Sequence, residues 1–149
     1  ELNYTYGLLG AYTIKVAALK TSLSFTEAFA SGILCNLLVC LAVWMSYSTK
    51  DIAGKALVIF FPIWLFIASG YEHSVANMYY LTAGLLAKNN PDLVLKTGEL
   101  MSFSAENLNN LTILNAFMDN LVPVTIGNLV GGALFIGALY WWAYKKVSR

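Results

Sequence analysis

Hydrophobic and polar positions along this chain fall into long blocks rather than short periods. Residues 28–49 carry no charge, and at about 1.5 Å per residue they reach ~33 Å, against a hydrocarbon core of roughly 30 Å. A second charge-free block, 120–144, opens on Asn120 and Pro123, ends in Tyr140, Trp141, Trp142 and Tyr144, and is stopped by Lys145 and Lys146. The first block predicts one spanning helix. The second predicts another, with an aromatic belt and a basic anchor at its end. Residues 2–14 are apolar but too few to span, which predicts the end of a helix whose beginning lies upstream. Residues 15–25 then read as a shorter amphipathic or re-entrant piece.

Block 56–87 is different. As one helix it would measure ~48 Å, too long for a single crossing, and it is interrupted by Glu72 and His73 beside Ser69, Gly70 and Tyr71. Neither side alone reaches the roughly 20 residues a span needs. A glycine next to a small hydroxyl residue is where a membrane helix can unwind, and irregular backbone at that depth is tolerated only where protein buries it or a wet cavity runs beside it. The pattern predicts two half-helices meeting near mid-membrane at Ser69 and Gly70. The second turns its N-terminal N–H groups, the positive end of its dipole, toward the break, an arrangement suited to an anion. The alternative is one long, steeply tilted helix with Glu72 near an interface; the equal apolarity of both flanks counts against it. Residues 88–119 hold Asn89, Asn90 and Pro91 as a turn, followed by a Leu/Met pattern that predicts short helices on the outer surface.

Composition narrows the class. The chain has 149 residues, 58% hydrophobic and 11% charged, and its mean hydropathy is +0.64. A soluble domain carries roughly a quarter of its residues as charges, so a solvated enzyme, a nucleic-acid binder and a disordered tail are all poor fits. The net charge is +1, and the largest basic cluster is Lys145, Lys146 and Arg149, too little to track a phosphate backbone. Lysines in the 50–55 connection and in the tail, against the acidic 88–119 connection, predict a multi-pass membrane protein with a cytoplasmic C-terminus. Lys15 and Lys20 then fall on the outer side, against the bias. Cys35 and Cys40 lie roughly 140° apart on a helix and cannot bridge. The chain lacks an initiator Met and a basic leader, which predicts a piece of something larger rather than a preprotein.

His73 is the single histidine, beside Glu72 in the least polar part of the chain. Burying either one charged costs several kcal/mol (order of magnitude) unless compensated, so a sequence that keeps both there normally uses them. Imidazole titrates near physiological pH. Pointing into a narrow apolar pore, it could give a hydrogen bond or a proton to a passing weak-acid anion and so remove much of the anion's desolvation cost. The plainer alternative is a neutral histidine satisfied by a helix carbonyl. Asn36 lies mid-block, and Asn77 lies four residues after His73 on the same helix face. Each amide reads equally as helix–helix glue or as part of a sparse polar line. Phe66 and Val39 are ordinary core residues unless a pore is present, in which case they would be apolar constrictions that reject hydrated ions. Gly127, Gly131 and Gly132 predict close helix packing. No HExxH, no metal-ligand set, no haem histidine pair and no Ser/His/Asp grouping is visible, so no enzyme, metal or cofactor is expected.

Three motifs in order, Gly32-Ile-Leu-Cys-Asn-Leu-Leu-Val-Cys-Leu-Ala-Val-Trp44-Met, Ser69-Gly-Tyr-Glu-His-Ser-Val-Ala-Asn-Met-Tyr79 and Asn120-Leu-Val-Pro-Val-Thr-Ile-Gly-Asn-Leu-Val-Gly-Gly132, resemble the formate/nitrite transporter family over nearly the whole chain. The resemblance implies an all-α integral membrane protein with an aquaporin-like inverted repeat of six helices, the second and fifth broken. Such proteins form homopentamers in the lipid bilayer, one pore per protomer, for small monovalent weak-acid anions such as formate, nitrite, hydrosulfide and lactate. This chain would be the C-terminal half. On that reading 1–26 is the end of helix 3 with an outer re-entrant segment, 28–49 helix 4, 56–87 the broken helix 5, 88–119 an outer loop and 120–144 helix 6. The resemblance further implies that Glu72 and His73 are the family's Glu-His pair, and that Asn36, Asn77 and Lys20 line the outer vestibule, where the lysine attracts anions. Val39 and Phe66 would contribute to the constrictions. The N-terminal half of the same protein would complete each pore. A non-transporting membrane subunit or anchor, or a water or neutral-solute channel on the same scaffold, stays open, and nothing in this half selects the anion.

Overall fold

The computed structural model describes residues 7–101 and 105–147, and every regular element among them is helical. The described elements are α1 (Leu8–Thr21), α2 (Phe25–Ser46), α3 (Ile52–Ala68), α4 (Ser74–Ala87), α5 (Pro91–Met101), α6 (Ala105–Asn110) and a C-terminal helical run, Ile113–Lys145. The expectations for residues 2–6 and for Arg149 lie outside the described residues. Helix α2 and the C-terminal run are each long and apolar enough to cross a bilayer, by length and composition.

Several boundaries differ from the sequence expectation. No separate piece occupies 15–25: α1 runs unbroken past Lys15 to Thr21, because Gly10, Ala11, Ile14, Ala17, Ala18 and Thr21 recur at helical spacing and stay buried together. Helix α2 begins at Phe25, ahead of 28, with Glu27 in its first turn, where a carboxylate suits the positive end of the helix. Helix α3 begins at Ile52, ahead of 56, because the Asp51 carboxylate caps it by accepting from the Gly54 N–H at 2.7 Å. The C-terminal run starts at Ile113 rather than 120, capped by the Thr112 hydroxyl, which accepts from the Asn115 N–H at 3.2 Å. Two stretches of that run, Ala116–Leu121 and Val130–Ala138, are wound as π-helix. The first lies just before Pro123, which has no N–H to continue the ladder.

The chain divides into two compact units. One comprises Glu1–Phe25 and Val75–Val122. Its core gathers Ile14, Ala17, Ala18, Leu81, Ala87, Leu93, Leu111 and Ala116. Gly84 lets α4 lie directly on α1, since a Cβ there would fall on the Ala17 methyl. Lys88 closes the connection by donating from Nζ to the Leu108 and Leu111 carbonyls at 2.6 and 2.9 Å, which occupies carbonyls at a helix end that have no partner within the helix.

The other unit comprises Thr26–Ser74 and Pro123–Arg149. Helix α2 meets the C-terminal run through glycines: a Cβ at Gly127 would strike the Phe29 carbonyl oxygen, and one at Gly131 the Ile33 carbonyl oxygen. Small residues allow this backbone-to-backbone approach. Helix α3 buries only Pro62 and leaves Phe60, Phe61, Trp64, Leu65 and Ile67 exposed. Such a helix is intelligible in hydrocarbon, where apolar side chains need no cover.

Candidate functional site

Helix α3 ends because Gly70 adopts φ +67°, a left-handed conformation that costs a residue with a Cβ about 1–2 kcal/mol. The Gly70 N–H donates to the Ile67 carbonyl and the Tyr71 N–H to the Phe66 carbonyl, both at 3.1 Å. This is a Schellman cap with glycine at its required position. Residues 71–73 then run without helical structure before α4 resumes at Ser74. The break therefore holds Ser69, Gly70, Tyr71, Glu72 and His73, as the half-helix pattern predicts, and the single long helix is ruled out.

Unwound backbone away from water needs partners, and here two side chains from neighbouring helices, Ser31 and Asn128, supply them. The Glu72 N–H donates to the Ser31 hydroxyl at 3.0 Å. Asn128 holds groups on either side of His73. Its Nδ2 donates to the Glu72 carbonyl at 3.1 Å and to the Gly32 carbonyl at 2.8 Å. Its Oδ1 accepts from the Ser74 N–H and the Ser74 hydroxyl, both at 3.0 Å. Both donor hydrogens and both acceptor positions of the amide are thus filled. Because a backbone N–H can only donate, Oδ1 must face Ser74, and the amide's orientation follows. Asn36 adds a bond from its Nδ2 to the Asn128 carbonyl at 2.6 Å. Gly32 makes room for this cluster, since a Cβ there would lie 2.8 Å from the Val124 carbonyl oxygen and 3.2 Å from Asn128 Nδ2.

Within this framework Glu72 is buried and His73 is half-buried. The imidazole faces the ring of Phe66, with centroids 6.1 Å apart and planes inclined by 33°. Phe66 and Val39 are both half-buried. The unit thus brings together Glu72, His73, Phe66, Ser69, Gly70 and, through Asn128, Asn36. One feature departs from the expected helix-terminus anion site: the first N–H of α4, that of Ser74, is committed to Asn128.

Asn77 and Lys20 belong to the other unit. There Asn77, 1% exposed, donates from Nδ2 to Asn120 Oδ1 at 2.7 Å, and Asn120, fully buried, donates from its own Nδ2 to the Lys20 carbonyl at 2.9 Å. The half-buried Lys20 carries its ammonium 5.6 Å from the centroid of the Tyr80 ring. Asn36 and Asn77 therefore each spend a donor hydrogen on an interhelical bond, the glue role open to an intramembrane amide.

Asn128, Asn120, Ser31 and Ser74 are participants that sequence reasoning passed over. The signal for the two asparagines was the one that singled out Asn36 and Asn77: an amide inside a charge-free block. Ser31 and Ser74 gave no such signal, because a serine within a helix ordinarily satisfies itself on its own backbone. Among the described residues no grouping of His, Cys, Asp and Glu could hold a metal ion.

Residues 2–142 match the family model described as formate/nitrite transporter. The chain is 42% identical over 142 residues to the formate channel FocA of Escherichia coli K12, covering 94% of this chain and 48% of that protein. It is 40% identical over 142 residues to a probable formate transporter of Methanothermobacter thermautotrophicus, covering 95% of this chain and 44% of the relative. Among solved structures it resembles a pentameric formate channel with formate bound, at TM-score 0.82 and 34% identity, over 97% of this chain and 56% of that one. The chain thus spans about half the length of the relatives it matches.

Proposed function

Because the chain belongs to the formate/nitrite transporter family and has the all-helical membrane-channel fold of its solved relatives, we propose that it is the C-terminal half of a pore-forming subunit for small monovalent weak-acid anions. Formate is the first candidate substrate, since relatives that match the chain at 42% and 40% identity bear that name; nitrite and hydrosulfide are the others. The N-terminal half of the same protein completes each pore wall, five such subunits assemble in the inner membrane, and the C-terminus faces the cytoplasm.

The observation that carries the reading is the broken helix, whose interruption places the chain's one histidine next to the Phe66 ring and fastens the backbone on both sides of it. An anion gathered by the positive charge of Lys20 loses its water at apolar constrictions to which Phe66 and Val39 contribute. The loss is costly for a bare charge and far less so for an anion that receives a hydrogen bond or a proton. His73 supplies that donor. Asn36 offers a polar edge beside the break, and Glu72 flanks the imidazole.

The test is stopped-flow uptake of formate, nitrite and hydrosulfide by the complete protein in proteoliposomes. His73→Ala and His73→Phe are expected to change anion flux and its dependence on pH while the pentamer stays intact. Flux that keeps its wild-type pH dependence in both variants would remove the role of His73. Osmotic swelling without anion flux would assign the scaffold to neutral solutes instead.

A further inference from the structure

Asn128 bonds to the main chain on both sides of His73, accepting from the Ser74 N–H at 3.0 Å and donating to the Glu72 carbonyl at 3.1 Å. Its remaining capacity goes to the Ser74 hydroxyl at 3.0 Å and to the Gly32 carbonyl of α2 at 2.8 Å. We propose that Asn128 is the positioning residue of the pore histidine: a saturated amide that pins the peptide groups before and after His73 to α2 and so sets where the imidazole stands.

The proposal rests on the functional reading above and adds a second consequence. The Ser74 N–H is the first of α4, and Asn128 Oδ1 caps it from another helix, as an N-cap side chain would from within the chain. That N–H is therefore withheld from the anion, so the helix end offers one donor fewer beside the imidazole. A site that grips through fewer groups releases its anion faster, which suits conduction better than retention. Asn36, bonded to the Asn128 carbonyl at 2.6 Å, braces the same turn of the C-terminal run.

The experiment uses the complete protein, labelled with ring-15N histidine, in liposomes. His73→Ala identifies the imidazole signal, and formate uptake is measured on the same preparations. Asn128→Asp keeps the size and the acceptors for Ser74 but cannot donate to Gly32 or Glu72; Asn128→Ala removes all four bonds. Ser74→Ala deletes a single bond and carries the test should either Asn128 variant fail to assemble. The expected result is an imidazole signal that splits or broadens, with half-saturation for formate rising about tenfold or more in the Asn128 variants. Ser74→Ala should give a smaller change in the same direction, and the maximal rate should move less than half-saturation. A purely structural role would lower thermal stability and leave the signal and half-saturation unmoved, which would overturn the proposal while His73-dependent flux stood. Flux indifferent to His73 would overturn the transport reading instead; the imidazole signal would still decide whether Asn128 positions the ring.

Discussion

The closest backbone approach in the Thr26–Ser74 and Pro123–Arg149 unit can be tested with one methyl group. In Gly131→Ala the new Cβ would fall on the Ile33 carbonyl oxygen, with the Ile33 carbonyl carbon and Cα each at 3.0 Å. Carbon contacts settle at roughly 3.5–4.0 Å. These atoms are backbone, so no rotamer change relieves the overlap, and α2 must move away by about an ångström. The Asn36 to Asn128 bond of 2.6 Å joins the same two helices; stretched by that amount it leaves the hydrogen-bonding range. Overpacking costs about 1–3 kcal/mol and the lost bond about 1 kcal/mol. The helical preference of alanine over glycine returns about 1 kcal/mol, so the net destabilisation is about 1–3 kcal/mol. Gly98→Ala in α5 is the matched control, because its Cβ meets nothing within 4 Å; it should gain about 0.4–1 kcal/mol. Thermal unfolding of the complete protein, followed by tryptophan fluorescence, should place the two variants on opposite sides of the wild type. A Gly131→Ala protein that unfolds at or above the wild-type temperature would refute the close contact.

Two further outcomes can be measured in the same way. Gly70→Ala should cost about 1–2 kcal/mol from backbone conformation alone, since a Cβ there has open space around it. Gly70→Asn should recover much of that loss, because asparagine tolerates the left-handed region; equal unfolding temperatures for the two variants would show that the cap does not depend on this conformation. Asn120→Leu should cost about 1–3 kcal/mol by stranding the buried Asn77 amide and the Lys20 carbonyl. The Asn77→Leu, Asn120→Leu double variant should lose clearly less than the sum of the two single losses, and additive losses would mean that the two amides do not share a bond.

The architecture was legible in the sequence wherever one physical rule acted alone. Charge-free length against bilayer thickness located α2 and most of the C-terminal run. Gly70 beside Ser69, ahead of Glu72 and His73, located the break, because a left-handed cap needs glycine and a membrane helix with a charged interruption cannot continue unchanged. Element ends were read less well. Asp51, Glu27 and Thr112 each shifted a boundary through helix-end electrostatics or capping, a local effect of one side chain that hydropathy does not register. Lys15 misled in the same way: a charge marked a boundary in the pattern, whereas the buried stripe from Gly10 to Thr21 carried the helix straight past it.

The sequence by itself determined that this chain is a set of membrane helices, that one is broken, and that a lone imidazole sits in the break, because hydrophobic length, glycine stereochemistry and the cost of burying charge are all properties of a segment. Only the tertiary structure decided which groups hold the unwound backbone. Asn128 lies 54 residues beyond Ser74 and 96 beyond Gly32 along the chain, and no local rule couples positions so far apart. The peptide groups flanking His73 need partners wherever the chain can supply them, and the helix packing that Gly32, Gly127 and Gly131 permit is what brings that amide within reach.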